Sequence, residues 1–368
     1  MIRRPPRSTQ SRSSAASDVY KRQFMKVLIL CRYHRDGSSS RVRFMQYIPY
    51  LESEGISVTI SPLLYKDYIK VIYSGRKPSL IRIAFSYLSR MLVLTKIGKY
   101  DILWIEKELF PIIPAWFEKF IVLAGKKYIV DYDDATFLNY KESFTPNKIA
   151  KIMRMSSCVV CGNEFLLDYA KNANAKKVKL LPTVVDLDYY TIKKKDVGNT
   201  VIVGWIGAPY TVHYLLPILD ILAIISERVL LELHVVGATI KHPKVKIKCI
   251  PWCEKNESKL IQKFDIGIMP LSETPWENGK CAYKLIQYMA CGLPVIGSDI
   301  GANRDVITHG KNGFLAKTSD DWLKYLNILI DNLKRRRIMG SAGREAVEDK
   351  YCTKVSAPVL KNILTINL

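Results

Sequence analysis

The chain holds 368 residues, with 56 Lys plus Arg against 34 Asp plus Glu and a hydrophobic share of 48%. That length exceeds what one core supports and points to two domains, while the apolar share excludes wholesale disorder and collagen-like repeats. The net charge of +22 divides as +5 over residues 1–23, +9 over 24–190 and +8 over 191–368, so both halves call for an anionic partner such as phosphates, a membrane surface or nucleic acid. The best apolar run, Val201–Gly207, is strand-sized, and a membrane-spanning helix is not expected. Eight cysteines without a secretory leader read as reduced thiols of a cytoplasmic protein.

Residues 1–23 are Arg- and Ser-rich with no hydrophobic leader core, and are set aside as a non-native or disordered leader. Apolar runs then alternate with amphipathic stretches, the pattern of βαβ units. Strands are predicted at Lys26–Cys31, Ile56–Ile60, Ile102–Ile105, Tyr128–Tyr132 and Cys158–Cys161, with a helix over Arg41–Gly55 carried by Val42, Met45, Ile48 and Leu51. Residues 64–99 carry eight basic residues and one acid interleaved with aromatics. That composition suits either an anionic membrane surface or a solvated helix face over ordinary core.

Asp186–Asn199 is polar and unpatterned, and reads as a linker. Beyond it strands are predicted at Thr200–Ile206, Leu231–Val236, Val245–Ile250, Ile266–Met269 and Pro294–Gly297. Helices are predicted at Val212–Ile225, Cys281–Ala290 and from Asp320 to the end. The expected class is α/β: two Rossmann-like doubly wound domains, 24–190 and 191–345, facing a cleft, with 346–368 a terminal helix crossing back to the first domain.

Three blocks carry a family likeness in order. Leu181-Pro182-Thr183-Val184-Val185-Asp186, Gln287-Tyr288-Met289-Ala290-Cys291-Gly292-Leu293-Pro294-Val295-Ile296 and His309-Gly310-Lys311-Asn312-Gly313-Phe314-Leu315 resemble the P-N-G-V-D, E-A-M-A-C-G-x-P-V-V and D-G-x-x-G-x-L signatures of retaining family 4 glycosyltransferases with the GT-B fold. The resemblance implies metal-independent transfer of a sugar from a nucleotide-diphosphate donor to a glycan or lipid-linked acceptor, as in bacterial surface-polysaccharide assembly. It implies no cofactor beyond that co-substrate. The chain departs from the family where Gly279 and Gln287 replace the E-x7-E carboxylates and where Gly207–Thr211 lacks a basic pair.

The residues themselves fit a phosphate site. Lys280 and Lys284, four apart at a helix start, share one face and can both point at a diphosphate, or form a solvated face. Gln287 is one turn further on, toward a ribose. With no carboxylate at Gly279, sugar recognition falls to backbone, Glu277 or Asn278. Gly207 offers close backbone approach, Thr211 a helix cap or phosphate contact, and Trp252 a stacking face or plain core. On the acceptor side, Asp133 and Asp134 end a predicted strand, Asp133 as a candidate general base or either as a helix cap. Gly37, Ser38 and Arg41 belong to the first loop, with Ser39 or Ser40 as helix caps. No metal site is expected: Asp131 and Asp133 diverge as alternate residues if the strand persists, the resemblance implies metal-independent transfer, and no paired His or Cys spacing supports the cysteine pairs Cys158/Cys161 and Cys249/Cys253. A non-catalytic nucleotide-sugar or glycan-binding module is the alternative, and nucleic-acid binding rests on charge alone, with no recognisable module.

Overall fold

The computed structural model describes residues 25–192 and 198–367; the 1–23 leader and the middle of the linker lie outside the described residues. Two all-parallel six-stranded sheets form. The first comprises β1 (Met25–Cys31), β2 (Ile56–Pro62), β3 (Ile102–Glu106), β4 (Tyr128–Tyr132), β5 (Cys158–Cys161) and β6 (Val178–Leu180), in the order β2-β1-β3-β4-β5-β6. The second comprises β7 (Val201–Ile206), β8 (Leu231–Val236), β9 (Ile247–Ile250), β10 (Ile266–Met269), β11 (Val295–Ser298) and β12 (Gly313–Ala316), in the order β12-β11-β10-β7-β8-β9. Helices cover both faces, so the central strands are apolar except toward their carboxyl ends, where Glu106 and Asp131 are buried. Leu28, Leu30, Leu103 and Val130 point into one core, and Val27, Ile29, Trp104 and Ile129 into the other.

Each sheet reverses its strand order once, between β1 and β3 in the first and between β7 and β10 in the second. Chains leave the carboxyl ends in opposite directions there and open a crevice. The loops after β1, β3, β7 and β10 therefore face each other across the gap between the lobes.

Several boundaries differ from the sequence reading. The helix expected over Arg41–Gly55 is two, Ser38–Arg43 and Ile48–Ser53, joined by a 3-10 turn at Met45–Tyr47. Pro49 has no amide to continue the first helix and serves instead in the first turn of the second. Pro217 acts alike, so a 3-10 segment Pro209–Leu215 feeds the helix Leu216–Ser226. Together Pro209–Ser226 is long and apolar enough to cross a membrane, yet half of it is buried, with Ile218, Leu219, Leu222 and Ile225 in the second lobe's core. β6 and β12 were not expected; β12 begins inside the His309–Leu315 block.

The signature around Cys291 has a local cause. The helix Tyr283–Ala290 ends with Gly292 in the left-handed region, φ 74°, where the Leu293 amide donates to the Tyr288 carbonyl and the Gly292 amide to that of Met289. Glycine relieves the Cβ clash of that geometry, and Pro294 launches β11. At the C-terminus the helices are Ser319–Asp331, Leu333–Lys350 and Thr353–Ile366. The last packs Ala357, Leu360, Ile363 and Leu364 onto the first sheet, and Val185 and Cys352 form an isolated parallel bridge where the chain crosses between lobes.

Candidate active site

A cavity of about 1060 Å³ lies between the lobes. From the second lobe it is lined by Gly207, Thr211, Trp252, Lys280, Lys284 and Gln287, and from the first by Gly37, Ser38, Arg41, Asp133 and Asp134. Glu277, Asn278 and Gly279 are not among its walls.

Lys280 and Lys284 stand at the start of the helix Tyr283–Ala290, which opens at Tyr283 rather than Cys281 because Ala282 occupies the left-handed region at φ 51°. The Lys284 ammonium lies 5.5 Å from the centre of the buried Trp205 ring and that of Lys280 5.9 Å from the Tyr214 ring. Neither forms an ion pair with a carboxylate among the described residues. Burial and the neighbouring Lys280 charge push Lys284 down to about 8, with Asp134 opposing. Two cations without carboxylate partners among the described residues, beside the first amides of a helix, make a wall suited to an anion.

Across the gap, Lys107 holds Asp133 at 2.8 Å and Asp134 at 3.0 Å. Lys107 follows β3 with φ 62°, a strained setting for a side chain with a Cβ, stabilised by its amide bonding the Asp131 carbonyl. Burial opposes the charge on both partners, but the ion pair wins: Lys107 is held well above the ordinary lysine value and Asp133 below the ordinary carboxylate value. Asp133 is thus a weak base as it stands, better suited to accepting a hydroxyl's hydrogen bond than to removing its proton. Asp131 points elsewhere, into a buried bidentate pair with Arg43 at 2.8 and 3.1 Å. Asp131 and Asp133 each face a separate cation, and no group of three or more metal-ligating side chains occurs among the described residues.

The base of the cavity holds a residue the sequence reading missed. Glu257, buried, accepts hydrogen bonds from the Tyr190 hydroxyl, the Trp252 indole and the Gln287 amide, the last at 2.9 Å. Arg41 lies over the Trp252 ring, 4.9 Å from its centre, and 3.7 Å from Glu257. Gln287 thus commits its amide donors to protein, leaving its carbonyl for a ligand, and one face of Trp252 is covered. Glu257 is thirty positions from Gln287 and in a short helix of its own, so spacing could not have linked them; the buried, paired Lys107 between Glu106 and Glu108 at a strand end was the one missed residue with a local signal.

Other assignments change. The Thr211 hydroxyl donates to the Ala208 carbonyl at 2.8 Å, and the caps of the two following segments are Ala208 and Leu215, so Thr211 closes a turn instead of capping. Gly37 caps the helix Ser38–Arg43 without a side chain; Ser40 donates to Glu106 and is not the cap, nor is Ser39. Glu277 is buried and accepts from the Tyr214 and Thr274 hydroxyls. Asn278 offers its carbonyl to the Asn163 amide at 3.1 Å. Gly279 has no side chain because none would fit: a Cβ there would lie 2.6 Å from the Cβ and the amide nitrogen of Ala135 on the other lobe. Asn278 and Gly279 form the contact between lobes behind the cavity wall, and Glu277 is held within its own lobe.

The lobes are joined across the cavity rim as well. Arg35 grips Glu254 with contacts of 2.7 to 3.1 Å, and the Asn163 amide also bonds the Lys280 carbonyl at 2.9 Å, fixing the loop that presents that lysine.

Residues 200–332 match the family model described as "Glycosyl transferases group 1". Spore coat protein SA of Bacillus subtilis (strain 168) is 27% identical over 123 residues, 33% of this chain and 31% of that protein's length. Among solved structures, Anabaena HepE in complex with UDP and glucose superposes with a TM-score of 0.68 at 15% identity, covering 93% of this chain and 99% of that one. Sucrose-phosphate synthase from Thermosynechococcus elongatus gives 0.69 at 12% identity, covering 92% and 98%. At such identities the structural likeness is one of fold, two Rossmann-like domains in the GT-B arrangement. Residues 200–332, which carry Lys280, Lys284 and all six strands of the second sheet, match the group 1 glycosyltransferase model and are set in a chain with the GT-B fold.

Proposed function

We propose that this chain is a retaining glycosyltransferase of the family 4 type that takes a sugar from a nucleotide-diphosphate donor held by the second lobe and delivers it to an acceptor hydroxyl held by the first. The observation that carries the reading is the pair Lys280 and Lys284, which line the interlobe cavity and form no ion pair among the described residues. A leaving diphosphate gathers charge as the glycosidic bond breaks, and fixed cations with helix-start amides stabilise that charge without metal. Asp133 and Asp134, oriented by Lys107, are placed to receive acceptor hydroxyls; the covered Trp252 and the Gln287 carbonyl face the nucleoside end. The family resemblance favours work in the cytoplasm on bacterial surface polysaccharide or a lipid-linked glycan, and the UDP and glucose bound to HepE favour a uridine donor as the first to try.

The test is a thermal-shift and turnover screen of purified protein against UDP-, GDP- and dTDP-sugars. One donor class should raise the melting temperature and be hydrolysed or transferred, with both effects lost in Lys280→Ala. If no donor stabilises the protein, the reading fails. The absence of carboxylates at Gly279 and Gln287 favours a second reading, a nucleotide-sugar or glycan-binding module, which would show the shift with no turnover.

A further inference from the structure

The first lobe carries an apolar surface with no partner in the fold. On the helix Leu80–Leu94, Ile81, Phe85, Leu88 and Leu92 recur at helical spacing on the side away from the core, with Phe85 66% and Leu92 67% exposed. Its other side is buried through Arg90 and Leu94. On the helix Trp116–Leu123, Trp116, Phe120 and Leu123 repeat the pattern, at 68% exposure for the tryptophan and 75% for the leucine. The helices adjoin: Tyr87 packs on Phe110 at 5.1 Å between ring centres, Phe110 on Phe117 at 4.6 Å, and the Tyr87 hydroxyl bonds the Pro111 carbonyl at 3.0 Å. Ile112 stands exposed beside that joint. Together these side chains expose on the order of 1,000 Å² of apolar surface, above the about 300–600 Å² of the largest patch on a typical monomer.

Charge selects the occupant. Arg76, Lys77, Arg82, Lys96, Lys99 and Lys119 are exposed around the two stripes, while Asp101 is the sole exposed acid from residue 74 to 127; Glu106, Glu108 and Glu118 are buried. Apolar side chains framed by cations match a surface of acyl chains beneath anionic headgroups. We infer that the outer faces of Leu80–Leu94 and Trp116–Leu123 dock this protein on an anionic lipid bilayer. The surface takes in only part of the stretch that composition marked over 64–99, the helix Leu80–Leu94 and the cations around it. Tyr68, Ile69, Ile72 and Tyr73 of that stretch line the interlobe cavity instead, and the docking face gains Ile112 and the Trp116 helix from beyond it. The inference goes beyond the transferase reading and does not need it: docking requires no donor and no turnover.

The experiment is vesicle flotation of the full chain with phosphatidylcholine alone and with added phosphatidylglycerol, at low and high salt. Wild type should float with the anionic vesicles at least tenfold more than with the neutral ones, and high salt should reduce that excess. Leu88→Ser combined with Trp116→Ser, both on exposed side chains, should cut flotation at least tenfold with no loss of melting temperature; Lys77→Glu combined with Lys119→Glu should weaken it with the apolar face intact. Lys284→Met should float as wild type, separating docking from donor binding. Wild type remaining in the soluble fraction overturns the inference, as does a Leu88/Trp116 variant that floats undiminished. A concentration-dependent dimer dispersed by that variant, with no flotation, assigns the face to a second copy and also overturns it.

Discussion

Replacing Lys284 by methionine tests the anion site at its most exposed assumption. The side chain keeps its length and its packing against Trp205 but loses its charge, 5.5 Å from that ring and next to Lys280. One charge pair at 4 Å in an effective dielectric of 20 is worth about 4 kcal/mol. The cavity is open and Lys280 shares the work, so about half of that is expected, roughly 30-fold in dissociation constant at 1.4 kcal/mol per decade. The pH profile is the sharper readout. With Lys284 at about 8, wild-type affinity for a nucleoside diphosphate should be level below pH 8 and fall above it as the ammonium loses its proton. The Lys284→Met profile should be flat across that window. Ligand-free stability should move the other way. The unfolded lysine keeps its proton to about pH 10.4, so between 8 and that value the unfolded state binds more protons and wild-type stability rises with pH, a slope the variant lacks. Calorimetric titration with UDP and GDP from pH 6.5 to 9.5 measures the first effect and urea unfolding the second. A variant within twofold of wild type for a nucleotide that wild type binds, or a wild-type profile without a break near pH 8, refutes the reasoning.

Two further substitutions probe the walls. Lys107→Met leaves Asp133 and Asp134 facing each other without their cation and should cost about 3 kcal/mol in urea unfolding, largely restored by adding Asp133→Asn and Asp134→Asn. Because wild-type Asp133 is held below its ordinary value, its contribution is present above about pH 4 and lost as pH falls further, and Lys107→Met should remove that acid dependence. Gly279→Glu would return a carboxylate to the family position, yet Ala135 at 2.6 Å leaves no room; it should lower the melting temperature by several degrees and raise no turnover, and a stable, more active variant would show that the lobes part more easily than their contact implies.

The central strands were legible because a strand covered on both faces is apolar at most positions, and β4, β5, β8 and β10 fall where such runs fall. β6, three residues at a sheet edge with Lys179 and Leu180 exposed, offers no such run. Pro49 and Pro217 were visible in the sequence but outweighed by periodicity, and the backbone obeyed the prolines. At the site, the lysine pair was legible because its two members lie four apart where a helix begins, although Lys280 falls just ahead of that helix. Glu257 and Asn163 were not, since each acts through a partner from a different element, and Lys107 showed only as a lysine between two acids. The position of Gly279 could be read only as a missing carboxylate; the cause, the backbone of the opposite lobe, is a tertiary fact.

The bridge between Val185 and Cys352 means that the polypeptide passes from one lobe to the other twice, side by side. A single tether would let the halves swivel freely; a paired one behaves like a strap hinge and favours bending about one axis. Whatever opens the mouth must flex both spans together, while the terminal segment Thr353–Ile366 stays riveted to the first sheet through Leu360 and Leu364. Clipping the chain after Lys350 would therefore unroof the first lobe and undo the joint in one cut, leaving a loose string where the intact protein has a door.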